Sequence, residues 1–368
     1  MRIDSLSLEN FRNYAREQVD FDPVCNVIWG ENAQGKTNLL EAICCLSWGR
    51  SPRTRGDREL IRFDAEGFRI EGNITSRERR FISRIESVRG RKRKITVNGV
   101  PARSAAALGQ VLSTVFFAPE DLQIIRAGAS ERRKFMDVSL CQLRPRYAEA
   151  LSEYSRLHEH KTRILRDCDQ RPDLIAALPD FNLRMAQVGA ILIAYRARFM
   201  ERLAQLAADF HQEFSGGKEH LTVTYQTVSN IPDPLAPQQE VLQKLLEHQH
   251  SHYRAELESC QCLSGPHRDD FDVLLDGVSL KGYGSQGQIR TAAISLKLAE
   301  REIFRRDTGE EPVLLLDDVL SELDPARQDF ILNRIASGQV FITCCERSRV
   351  TEIGKVLTIE HGALLEGA

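Results

Sequence analysis

At 368 residues the chain is long enough for two lobes, at roughly 150 residues per domain, and its 42% hydrophobic and 28% charged content are ordinary globular values. A formal net charge of −2 excludes a uniformly basic protein, so any nucleic-acid surface has to be local. The opening MRIDSLSLENF carries charges where a signal peptide needs an apolar core, and no apolar run approaches the ~18 residues of a membrane span; a cytoplasmic protein with no membrane partner is expected. The nine cysteines include no C-x-x-C pair and mostly lie in apolar runs such as EAICCLSW and FITCCE, which points to reduced, buried thiols rather than a metal site.

In chain order, RIDSLSLENFRNYAREQVDF alternates apolar and polar residues around Ile3, Leu6 and Leu8, as a half-buried strand does. VCNVIWG then predicts a buried strand, the glycine turn GENAQGKT follows, and NLLEAICCLSWG has helical period. Residues 66–100 predict antiparallel β-structure, with turns at Arg89-Gly90 and Asn98-Gly99. From about Pro119 to Cys262 the pattern turns helical, with Ser130 as a helix N-cap in ASERRKFMDVSL. Met185, Val188, Leu192, Tyr195, Phe199, Leu203, Leu206 and Phe210 form one apolar stripe about 40 Å long at 1.5 Å per residue. The upstream segment RYAEALSEYSRLHEHKTRILRD is the natural helix to cover it. After Leu263 the pattern returns to α/β: DDFDVLLDG, then a second glycine turn leading a helix, then the buried strands EPVLLLDDVL and GQVFITCCE. The expected organisation is an α/β lobe over 1–118 and 264–368, split by a mostly helical insert over 119–263 with a short antiparallel helical arm.

Three motifs carry chemistry. Gly30, Glu31, Asn32, Ala33, Gln34, Gly35, Lys36 and Thr37 fit G-x-x-x-x-G-K-[ST] in full, with Asn38 immediately behind. Glycines let backbone N–H groups curl toward phosphate oxygens, Lys36 supplies a cation for the β- and γ-phosphates, and the Thr37 hydroxyl reaches a magnesium ion. These point to a nucleoside triphosphate and Mg2+ as cofactors. VLLLDDVLSELD is an apolar strand delivering carboxylates to the nucleotide edge of a parallel sheet. Asp317 would hold Mg2+, and Asp318 would orient or deprotonate the attacking water. A plain strand end is the alternative. YGSQGQ, at 283–288, is another glycine-dense turn opening a helix, a second anion-binding N-terminus in one chain.

LENFRNY at 8–14, GENAQGKTNLLEAI at 30–43, FFAPEDLQIIRAGASERRKFMD at 116–137, SGPHRDDFDVLLDG at 264–277, YGSQGQIRTAAISLKLAE at 283–300 and LLLDDVLSELD at 314–324 together resemble the RecF family of bacterial recombinational repair, ABC-type ATPases related to the SMC proteins. The resemblance covers nearly the whole chain. It implies an ABC-type lobe, a mixed sheet with helices plus an antiparallel β-subsheet, in which GENAQGKT is the Walker A motif and Asp317 with Asp318 the Walker B pair. Ser285, Gln286, Gly287 and Gln288 are then the signature that meets a second subunit's γ-phosphate, and SELD is the D-loop. Lys36, Asp317 and Asp318 are the implied catalytic residues, and the nucleotide is implied to be ATP. ATP-dependent homodimerisation on DNA, slow hydrolysis, and work with RecR and RecO to favour RecA loading at single-stranded gaps follow from the same resemblance. Three departures from the broader ABC pattern point to a slow timer: Asp318 where glutamate is usual, Thr343-Cys344 where a switch histidine follows the strand, and Pro119-Glu120-Asp121 where a magnesium-binding glutamine is expected.

Between Arg77 and Lys94 lie nine basic residues (Arg77, Arg79, Arg80, Arg84, Arg89, Arg91, Lys92, Arg93, Lys94) against Glu78 and Glu86. In a chain of net −2 this is a candidate phosphate-tracking surface for double-stranded DNA, centred on Arg89, Arg91, Lys92, Arg93 and Lys94; a solvated hairpin face is the alternative. Arg132, Arg133 and Lys134 are a second basic cluster that could instead brace the insert. His267 and Arg268 in GPHRDD read as a bracing loop rather than a catalytic one. Against the ATP-driven switch stand two other classes: a structural, SMC-like DNA-bridging head and a transporter ATPase subunit. A short helical arm disfavours the first, and a basic hairpin without a membrane-coupling surface disfavours the second.

Overall fold

The computed structural model describes residues 1–54, 56–102, 104–227, 231–320, 323–335, 337–345 and 354–365. It divides into two compact units, Met1–Asp121 with Glu300–Ala368, and Leu122–Ala299. The elements run β1 (Arg2–Phe11), β2 (Tyr14–Asp20), β3 (Cys25–Trp29), α1 (Lys36–Trp48), β4 (Gly67–Ser76), β5 (Arg79–Val88), β6 (Lys94–Val97), β7 (Val100–Pro101), α2 (Ala106–Gly109) and β8 (Thr114–Phe117). The second unit contains α3 (Gln123–Arg126), α4 (Ala129–Leu143), α5 (Pro145–Asp167), α6 (Leu178–Ser215), β9 (Leu221–Gln226), α7 (Gln238–Ser259), β10 (Asp270–Leu275), β11 (Val278–Ser279) and α8 (Leu280–Tyr283). Then come α9 (Gln286–Thr308), which starts in the second unit and ends in the first, β12 (Val313–Leu316), α10 (Pro325–Arg334), β13 (Val340–Cys344), β14 (Lys355–Glu360) and β15 (Ala363–Leu364).

In the first unit, β2-β1-β4-β5-β6-β7 make an antiparallel sheet and β15-β14-β3-β13-β12-β8 a second sheet, parallel except for β15. The two sequence patterns explain the two kinds of sheet. β4 alternates buried Phe68, Ile70, Gly72 and Ile74 with outward Arg69, Glu71 and Asn73, as a strand with one wet face must. VLLL of β12 and TVFF of β8 are buried throughout, as strands covered on both faces are. Helix α1 packs on β4 and β5 of one sheet and on β8 and β13 of the other, which accounts for its all-round apolar EAICCL. The approach is close: a Cβ at Gly72 would stand 2.6 Å from Leu46 Cδ1.

In the second unit α6 has 38 residues, about 57 Å of helix. Of the predicted stripe, Met185, Val188, Leu192, Phe199, Leu203 and Leu206 are buried, and Tyr195 and Phe210 are half-buried. Helix α5 covers it as expected, joined by α7 and β9. Two boundaries need correction. Helix α4 is capped at Gly128, whose extended backbone admits the chain, so Ser130 lies inside the first turn. The return to the first unit, expected at 264, comes at Glu300. The cause is pairing that sequence distance hides: β10 joins β9, with Val273 opposite Val223, and Phe271 packs on Phe135 of α4 with ring centroids 6.3 Å apart. The segment 264–299 is thereby built into the second unit.

Candidate functional site

The GENAQGKT turn connects β3 to α1 at the carboxyl edge of the parallel sheet, and its glycines are sterically required. A Cβ at Gly30 would stand 2.5 Å from the Ile359 carbonyl oxygen, and Gly35 adopts φ 121° with 2.7 Å between an added Cβ and Asn13 Nδ2. Lys36 is buried, its Nζ donating to the carbonyls of Gly30 (2.7 Å) and Glu31 (2.9 Å) and lying 3.2 Å from Cys345 Sγ. The Cys345 thiol donates to Asn32 Oδ1 at 2.9 Å. Glu31, Asn32 and Ala33 are exposed.

The turn is clasped by residues that the motif does not contain. Asn13 Nδ2 donates to the Gln34 carbonyl (2.8 Å) and Asn13 Oδ1 accepts from Asn38 (2.8 Å). The buried Tyr14 hydroxyl donates to the Gly35 carbonyl at 3.0 Å, and burial pushes its pKa upward. Arg12 makes a bidentate pair with the buried Glu41, 2.7 Å on both arms. From the other side the amides of His361 and Gly362 donate to Gln34 Oε1 (2.6 Å) and to the Gln34 carbonyl (2.9 Å). Of these partners only Asn38 is singled out by the sequence; the FRNY that supplies Arg12, Asn13 and Tyr14 was the available signal for three of the others.

Asp317 and Asp318 follow β12. Because Leu316 pairs with both Phe117 and Ile342, Asp317 emerges between the ends of β8 and β13. Its Oδ1 accepts from Thr37 Oγ1 (3.0 Å) and Thr343 Oγ1 (2.9 Å). Burial raises its pKa, the two hydroxyls pull it back, and the nearby charges of Asp318 and Glu120 raise it further. Thr37 and Asp317 thus present adjoining hard oxygens at the foot of the turn, a donor set that fits a hard divalent cation such as Mg2+. Asp318 adopts a left-handed φ of 52°, its amide donates to Thr343 Oγ1 (2.8 Å), and its carboxylate oxygens lie 3.8 and 4.0 Å from Cys345 Sγ. In the SELD segment, Ser321 and Glu322 lie outside the described residues; Asp324 caps α10 by accepting from the Arg327 amide at 3.1 Å.

The second glycine turn is satisfied differently. Ser285 Oγ accepts from the Gln288 amide (3.2 Å) while Gln288 Oε1 accepts from the Ser285 amide (3.1 Å), a reciprocal capping box at the start of α9. Gln288 Nε2 also donates to Glu219 Oε1 (3.1 Å). Ser285 and Gln286 are exposed, Gly287 and Gln288 half-buried, and Tyr283 just upstream is 82% exposed.

The basic run is not one surface. Arg84 pairs with Glu71, and Lys94 lies 3.9 Å from Glu86. Arg93 is committed to structure: it pairs with Asp57, donates to the Gly49 carbonyl, and burial lowers its pKa. Arg89, Arg91 and Lys92 are exposed on the β5–β6 connection, and Arg77, Arg79 and Arg80 at the opposite end of β5, which the strand rise separates by about 30 Å. The Arg77-Glu78 turn, with φ 49° and 60°, is a hairpin tip that the sequence reading missed. The other basic cluster braces the second unit: Arg132 holds Asp270 (2.5 and 2.8 Å) and Arg133 the Asp269 carbonyl (2.7 Å). GPHRDD is equally committed. Arg196 donates to the Pro266 carbonyl (2.6 Å) and to Asp269 Oδ2 (3.0 Å), and Tyr154 hydrogen-bonds His267 at 2.8 Å.

The family model described as the RecF/RecN/SMC N terminal domain matches residues 2–363. The DNA replication and repair protein RecF of Acetivibrio thermocellus is 39% identical over 347 residues, 94% of each chain. A solved structure of the recombination mediator protein RecF with ATP, in the RecFOR pathway, is 34% identical with a TM-score of 0.92, covering 100% of this chain and 97% of that one. The Smc head domain of Pyrococcus furiosus, solved with an extended coiled coil, is 14% identical with a TM-score of 0.54, covering 98% and 94%. That likeness concerns the fold alone, which is the ABC-type ATPase fold of these heads. No helix among the described residues is long and apolar enough to cross a membrane.

Proposed function

The chain belongs to the RecF family, and from that premise we propose that it is an ATP-dependent DNA-binding switch of recombinational repair and replication. In this reading ATP sits against Gly30–Asn38 with Lys36 on its terminal phosphates, and Thr37 with Asp317 holds the Mg2+ that neutralises them. Asp318 orients the attacking water. Two copies close when Ser285–Gln288 of each meets the nucleotide of the other, slow hydrolysis opens the pair, and RecR and RecO act with it to favour RecA loading at single-strand gaps. Arg89, Arg91 and Lys92 at one end of β5, and Arg79 and Arg80 at the other, are the side chains available to duplex phosphates.

The observation that carries this reading is the pairing of an internally complete P-loop, whose Thr37 already meets Asp317, with a capped but exposed signature turn. The bridging-head alternative has less support, since α6, the longest helix described, is packed along α5 and α7 inside its own unit. Sedimentation of the full chain with and without ATP and duplex DNA tests the proposal. A dimer that requires ATP and is favoured by duplex is expected; a monomer under all conditions would sink it.

A further inference from the structure

β13 lies between β12 and β3, so the residue after the last β12 pairing, Thr343, stands beside Asp317 and opposite Ile28 of the strand that feeds the P-loop. Its side chain is 2% exposed. A threonine hydroxyl has one proton and two acceptor lone pairs. Here the proton goes to Asp317 Oδ1 (2.9 Å) and a lone pair takes the Asp318 amide (2.8 Å). One hydroxyl therefore grips the carboxylate of the first aspartate and the backbone of the second. We propose that Thr343 is a positioning residue for ATP hydrolysis, setting the relative orientation of Asp317 and Asp318 without touching the nucleotide itself.

Two further features make that grip matter. Thr37 and Thr343 both donate to Asp317 Oδ1, so the carboxylate is held by two donors, one in the first turn of α1 and one in β13, and cannot rotate without losing one. Asp318 sits at φ 52°, a region few residues other than glycine occupy, although aspartate is among the more tolerant. An aspartate has only two side-chain torsions, so the backbone decides where its carboxylate arrives. Releasing the amide lets the backbone relax and carries the carboxylate away from the reacting centre.

The inference rests on Asp317 and Asp318 being the hydrolytic pair, and the test separates the two. Full-length Thr343→Val keeps the shape and removes the hydroxyl; Thr343→Ser restores it; Asp317→Asn and Asp318→Asn serve as references. In the nucleotide-free protein, amide exchange at Asp318 should rise roughly fivefold in Thr343→Val, the effect of one lost hydrogen bond, and return to wild type in Thr343→Ser. ATP affinity at fixed Mg2+ should stay within about threefold while kcat falls roughly 100-fold, and serine should recover most of that loss. Unchanged kcat in Thr343→Val, no recovery by serine, or loss of ATP binding along with kcat would each overturn the positioning role. Wild-type hydrolysis by Asp317→Asn or Asp318→Asn would instead overturn the reading of the pair. If Thr343→Val does not fold, Thr343→Ala against Thr343→Ser gives the same comparison.

Discussion

The two glycine turns of this chain are chemically alike and structurally opposite. At Gly30–Thr37 the backbone carbonyls and side chains are taken up by Asn13, Tyr14, His361, Gly362, Asp317 and Cys345, residues scattered over most of the sequence. At Gly284–Gln288 the hydrogen bonds are mostly local, Ser285 and Gln288 capping one another, and the outer face of the turn is exposed. A turn that many distant residues hold is already a complete site. A turn that completes its own hydrogen bonds and still faces outward is what the proposed two-subunit site requires.

The sharpest way to break this comparison is to mutate each turn and measure two equilibria. Lys36→Ala removes the cation and leaves the Gly30 and Glu31 carbonyls unpaired, so ATP binding by the monomer should weaken at least about 100-fold, the scale of one or two charged hydrogen bonds. Ser285→Arg should leave monomer ATP affinity unchanged and abolish ATP-dependent association, measured by equilibrium titration and sedimentation. If the Ser285 variant still dimerises, the two turns are not two halves of one joint.

The difference between the turns also decides what sequence could tell. GENAQGKT, the VLLLDD strand and SQGQ are contiguous, and their chemistry is readable because each motif carries its own strand or helix. Thr343 and Cys345 were noticed only as a missing histidine and a cysteine run; their contacts with Asp317, Asp318 and Lys36 depend on the β12–β13–β3 order, which no local pattern encodes. Arg93 looked like part of a basic surface because its partner Asp57 lies outside the charged run. The long α6 stripe was legible from period alone, whereas the β9–β10 pairing that moves 264–299 into the second unit was not.

Commitment can be titrated as well as mutated. In the unit that carries the exposed second glycine turn, His267 is enclosed, donating to the Cys262 carbonyl and accepting from Tyr154, with His158, Lys161 and Arg268 nearby. Burial, seconded by these positive neighbours, pushes its pKa down to about 3. An unfolded chain takes up this proton near pH 6.5 and the folded one does not, so the contribution to stability is full above that pH and is lost as pH falls toward about 3, by up to roughly 1.4 kcal/mol per pH unit. Asp269, raised to about 6 by burial, slopes the other way over the acid part of this range. Asp269 titrates in variant and wild type alike and cancels in their difference, so between pH 7 and 6 His267→Gln should flatten the urea-denaturation stability curve relative to wild type. Parallel curves for variant and wild type would mean that the loop is not locked as its geometry indicates.

The smallest effect tests the same distinction within the basic run, where committed and uncommitted cations stand side by side. Arg91 and Lys92 are exposed with no side-chain partner among the described residues, whereas Arg93 is tied to Asp57 and to the Gly49 carbonyl at the end of α1. Neutralising a phosphate contact removes about one released counterion, so Arg91→Ala with Lys92→Ala should lower the slope of log affinity for duplex DNA against log salt by roughly 2, at unchanged stability. Arg93→Ala should do the reverse: little change in slope, and a loss of about 2 kcal/mol in unfolding free energy, because Asp57 loses its charged partner. Equal flattening by Arg93→Ala would show that the Asp57 pair opens when DNA arrives. Side chains occupied in the folded chain would then be recruited rather than spent, and the contrast drawn between the two glycine turns would need the same revision.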